Sequence, residues 1–199
     1  IAGNDFAIFS LFNHCFLNQI YLIGVFMSLS LYDISIPNYL QMLGSTIGVL
    51  SKSAEHAEQN GLDLDTLLAA KLHPEMLPLR FQLVSVVHHS LGAIEGMKQG
   101  LFMPPSAMML DASYEDMQTL LNDASKQIEL ITQDEINALS GKAMLFKMGG
   151  FELPFTAEDF MQSFSLPNFY FHVTTTYDIL RMVGVSLGKL DFLGKIRTS

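Results

Sequence analysis

The sequence predicts an all-α fold, a four-helix bundle with short extra helices and a small β-hairpin excursion. Three observations carry this reading. Apolar residues recur at steps of three and four through four long segments. Ser or Thr followed three residues later by an acidic residue opens several helical segments. A Gly-Gly pair interrupts an apolar stretch that does not follow helical spacing. Isolated helices do not stabilise themselves, so the apolar stripes must pack on one another.

In chain order, Pro37 suits a first helical position with Ser35 or Ile36 as the cap. Ile36, Leu40, Leu43, Ile47, Leu50, Ala54 and Ala57 then form one stripe, ended by Asn60-Gly61 because glycine accepts the left-handed conformation. A short helix over 65–72 is broken at His73-Pro74. The second long helix spans about 78–98. Phe81, Val84, His88, Leu91 and Glu95 share one of its faces, and Leu83, Val87, Ser90 and Ile94 the next, which marks it as well buried. Gly100 and Pro104-Pro105 end it. Ser113 with Asp116 opens the third long helix, whose stripe is Tyr114, Met117, Leu120, Leu121, Ala124, Ile128 and Ile131. Thr132 with Glu135 adds a short turn. Residues 143–155 place two apolar arms around Gly149-Gly150, the pattern of a tight hairpin. Thr156 with Asp159 caps a short helix to about Phe164, and Pro167 opens the last long helix, which reaches Val183 before Gly184.

Composition narrows the function. With 199 residues, 49% hydrophobic and 16% charged, the chain is sized and composed for one domain with a real core. The formal net charge of −9 sets 20 acidic against 11 basic residues, and no Lys/Arg cluster offsets it. Nucleic acid and anionic membrane surfaces bind through such clusters, so neither is an expected partner. Cys15 is the single cysteine, which excludes an internal disulfide, and nothing around it marks a reactive thiol. A cysteine-poor chain fits a cytoplasmic protein. The sequence holds no G-x-G-x-x-G or P-loop motif.

Residues 1–26 are apolar with one charge, Asp5. A secretory signal requires a basic start, which is missing here. A membrane span would have to carry Asn13, His14, Asn18 and Gln19 in its interior. The favoured reading is an N-terminal extension outside the core domain, with the folded body at 27–199 and no membrane association.

The last helix reads Leu166-Pro167-Asn168-Phe169-Tyr170-Phe171-His172-Val173-Thr174-Thr175, followed by Ile179-Leu180-Arg181, Gly184-Val185 and Asp191-Phe192-Leu193-Gly194. With Met27-Ser28-Leu29, this resembles a bacterial and fungal family of unknown function grouped with the DinB/YfiT-like metalloenzymes. The resemblance runs from about Met27 to Gly194 and implies the four-helix bundle already read from periodicity. Such proteins hold a divalent metal with three histidines, one on the second long helix and an H-x-x-x-H pair on the last. Here His172 matches the second residue of that pair, Asn168 stands where the first belongs, and His88, or less readily His89, matches the ligand from the second helix. The resemblance therefore implies a metal site of His88, Asn168 and His172, with one zinc or nickel ion or none. It also implies kinship with small-thiol transferases, while the high apolar fraction and a second helix apolar on two faces point to a homodimer, a common state of this fold.

Asn168 and His172 are four apart and share a helix face. Two neutral imidazoles suit zinc, nickel, iron or copper, with water or a carboxylate completing the shell. The competing reading makes His88 and His172 ordinary hydrogen-bonded interior histidines. Adjacent His88 and His89 point about 100° apart on an α-helix, so one of them at most should serve a site. Tyr170, Thr176 and Tyr177 are candidate ligand-binding groups near His172. Three functions follow as alternatives: a metal-dependent enzyme, a bundle binding a small molecule without catalysis, or a dimeric interaction protein.

Overall fold

The computed structural model describes residues 29–105, 109 and 111–198, and the extension read over residues 1–26 lies outside them. The first helix, α1, spans Leu31–Asn60 and begins six residues before the position that Pro37 suggests. Ser30 and Asp33 form a reciprocal capping box there, so Pro37 falls inside the helix. Pro37 donates no backbone hydrogen bond. Leu31, Ile36 and Tyr39, all buried, secure this first part of the helix by packing. Gly61, at φ 64°, closes α1 as expected.

α2, Leu64–Leu68, is capped by Asp63 and leads to α3, Leu79–Val87. α3 does not run on as an α-helix to residue 98. It passes through a π turn at His88–Gly92 and resumes as α4, Ala93–Gln99. Two-residue β1, Leu101–Phe102, follows. α5, Tyr114–Glu129, and α6, Gln133–Asn137, start at the capping boxes of Ser113 with Asp116 and Thr132 with Glu135. β2, Ala143–Met148, turns at Gly149-Gly150 into antiparallel β3, Phe151–Thr156. The hairpin carries a third strand that periodicity does not announce: β1 pairs parallel with β2, Leu101 opposite Leu145. α7, Ala157–Asp159, is capped by Thr156 but does not stop near Phe164. It continues through a second π turn, Phe160–Ser165, into α8, Leu166–Met182, with Pro167 in the first turn. α9, Lys189–Leu193, ends the described fold, and Ser45 of α1 holds it by donating to the Asp191 and Phe192 carbonyls.

The protein is mostly helical with a small three-stranded sheet. α3 packs on α8 and α5, and α1 on α5, α8 and α9. Tyr39, Leu43, Leu50, Leu83, Ile94, Met117, Leu121, Phe160 and Phe169 are wholly enclosed between them. Among the described residues, no helix is long and apolar enough to cross a membrane.

Candidate functional site

Where α3 meets α8, polar side chains enter this apolar interior. Gln82, His89 and His172 are all buried. Gln82 stands on α3, and His89, seven residues on, stands in the π turn that follows it. The amide Nε2 of Gln82 donates to the Leu77 carbonyl at 2.9 Å, which aims its Oε1 at Nδ1 of His172, 2.8 Å away. An amide oxygen only accepts, so the His172 ring donates from Nδ1 and carries its lone pair on Nε2. The same arrangement orients metal-bound histidines through their second nitrogen.

The π turn changes what α3 presents. Its i→i+5 bonding adds a residue to the turn. The rings of His88 and His89 are 5.3 Å apart, and the His89 ring lies nearly parallel to that of His172, centres 5.6 Å apart. His89 is the buried member beside His172, and His88 is half-buried, stacked on Phe102 at 4.4 Å. Gly92 makes room for it, since a Cβ there would lie 3.2 Å from the His88 Nδ1.

The walls are aromatic. His89 also meets Phe102 and Phe164, which join Phe146, Phe155 and Phe160 in one ring cluster under the hairpin. Phe81 and Phe171 stand edge-on to His172. In these surroundings protonation is disfavoured. Burial pushes His89 down to about 3, with His88 and His172 adding repulsion, and pushes His172 down to about 4, with His88 adding to it. His88 is lowered by burial as well, partly offset by the Met103 backbone. All three imidazoles are neutral at physiological pH.

The remaining sequence candidates differ in setting. Asn168 donates its amide to the Phe164 carbonyl, 2.7 Å away and one turn back. Tyr170 is exposed beside Phe169, and Tyr177 packs on Phe192 of α9. Thr176 is wholly buried one turn beyond His172, and its hydroxyl has no hydrogen-bond partner. Sequence reading passed over Gln82 and ranked His89 second. A glutamine two turns before a histidine within an apolar helix was the available signal.

The donor chemistry fits a borderline divalent ion. Nε2 of His88 and Nδ1 of His89 are buried and lack partners, and neutral imidazoles are what such ions take. Among the described residues, no three or more His, Cys, Asp or Glu side chains are grouped to hold an ion. The arrangement offers two imidazoles in one place rather than a triad.

Comparison with known proteins identifies the lineage. Residues 31–193 match the family model described as a domain of unknown function, DUF1993. The chain belongs to the DUF1993 family. The fold of this DUF1993 chain is shared with the crystal structure of a DinB family member protein from Shewanella denitrificans. The two have a TM-score of 0.68 and 22% identity, over 85% of this chain and 94% of that one. None of the curated proteins matches the DUF1993 chain.

Proposed function

We propose that this DUF1993 protein, with a four-helix bundle of the DinB kind, binds one divalent ion of the zinc or nickel type between His89 and His172. The observation that supports this most directly is the buried, unpartnered Nδ1 of His89 beside a His172 ring whose tautomer Gln82 fixes. Zinc–nitrogen bonds of about 2.0–2.1 Å put an ion roughly 3 Å from each ring centre. Rings with centres 5.6 Å apart are within that distance, and binding would turn them from their nearly parallel packing so that their in-plane lone pairs meet on the ion. Low imidazole pKa values also remove the proton as a competitor near neutral pH. Asn168 stands outside this ligand set, and His88 is the neighbouring imidazole.

A bound ion would supply Lewis acidity, and the phenylalanine wall would limit water around it. With two protein ligands in place of three, affinity should be modest. Elemental analysis and zinc and nickel titration of tag-free protein test the reading. One ion per chain is expected, with affinity reduced at least about tenfold in His89→Ala and His172→Ala and unchanged in His56→Ala. Protein that neither holds nor gains either ion would sink the proposal.

A further inference from the structure

The two π turns are joined by one hydroxyl. Ser165 closes the second turn, and its Oγ donates to the carbonyl oxygen of His89, inside the first turn, at 2.8 Å. A serine hydroxyl has one hydrogen. With that hydrogen given to His89, the tyrosine donates in the 2.7 Å contact between Tyr39 Oη and Ser165 Oγ, in preference to Met161 Sδ at 2.9 Å, a weaker acceptor. Tyr39 and Ser165 are both wholly buried, and Phe169 stands edge-on to the Tyr39 ring at 5.0 Å. The chain of donors thus runs from α1, through the start of α8, to the backbone of the histidine beside His172.

A π turn inside a helix is one surplus residue carried within α-helical bonding. That surplus can sit one position earlier or later, and each placement turns the intervening side chains to new directions and leaves a different carbonyl short of its α-helical donor. Something outside the helix must select the placement.

We infer that Ser165 is a positioning residue: its hydroxyl, backed by Tyr39, pins the π turn at His88–Gly92 and so holds the His89 ring beside His172. The inference rests on the reading of His89 and His172 as the site, but its principal test needs no metal. In the full chain, kept in chelator, histidine ring resonances report the register. The folded wild type should show ring-to-ring contact between His89 and His172 by nuclear Overhauser effect. Ser165→Ala should lose that contact and shift or split the His89 signals, while helicity and the Gln82–His172 hydrogen bond persist. Zinc affinity should then fall about tenfold. A folded Ser165→Ala protein with unmoved His89 signals overturns the inference. Should that variant not fold, Tyr39→Phe removes only the backing hydroxyl. Displaced or broadened His89 signals in it support the pin, and unchanged ones overturn it. A wild type that shows the expected register but takes no zinc retires the metal proposal and leaves the positioning role standing.

Discussion

Lowering the pH from 7 to 5.5 in the presence of a chelator should destabilise the protein by roughly 2.5 kcal/mol. In the unfolded chain an imidazole titrates near 6.5, whereas burial holds His172 at about 4 and His89 at about 3. Between these values the unfolded state takes up protons that the folded state refuses. The stability that depends on neutral imidazoles is therefore fully present above 6.5. It declines as pH falls through that value, until the folded groups themselves titrate. Well below 6.5 each imidazole contributes a slope of about 1.36 kcal/mol per pH unit. Two of them, with partial titration near 6.5, give the stated loss. His88 is lowered too and acts in the same direction. Capping carboxylates act at lower pH, because hydrogen bonds to Ser30, Ser113 and Thr132 hold Asp33, Asp116 and Glu135 below their ordinary values. Since whole domains are stable by about 5–15 kcal/mol, urea unfolding followed by circular dichroism resolves such a change. His89→Leu should lose about half of the slope, whatever its effect on absolute stability. A stability that stays level between pH 7 and 5.5 would refute the picture of buried, neutral imidazoles.

Three further outcomes follow. Gln82→Leu strips the partners from both the His172 Nδ1–H and the Leu77 carbonyl, and it should cost about 2 kcal/mol or more in chemical denaturation. Gly96→Ala places a Cβ 2.9 Å from the Phe102 ring and 3.2 Å from the Leu101 carbonyl, so it should cost about 1–3 kcal/mol by thermal unfolding and displace the ring stacked on His88. We propose that the chain is a homodimer, because Phe171 and Met182 on α8 are about half exposed. Light scattering should then give twice the 22.1 kDa chain mass, and a monomer mass at micromolar concentration would count against it.

Where structure is settled within a few residues, the sequence was a good guide. Ser113 with Asp116, Thr132 with Glu135, Thr156 with Asp159, and Gly61 all mark real helix ends, because a cap is a local hydrogen bond or a local backbone angle. Ser30 with Asp33 is an equally local signal, but Pro37 drew attention away from it. The π turns were not legible, since the bond from Ser165 to His89 joins residues 76 positions apart. His172 was found through its motif. Asn168 shares its spacing, yet a short amide side chain can satisfy itself on the preceding turn, as the bond to the Phe164 carbonyl shows. The resemblance ranked His88 over His89, and a reading in α-helical spacing takes no account of a surplus residue.

The parallel pairing of β1 with β2 bears on the order of assembly. The β2–β3 hairpin is a local structure that can form within microseconds. β1 must find its partner across about forty residues that include α5 and α6, and closing so long a loop is entropically slower than forming a hairpin. Phe102, which stacks on His88, lies on β1. The aromatic cover over the histidines should accordingly close late during folding, after the helices that bear them have met, leaving the imidazoles open to water and to ions for longer than the rest of the core.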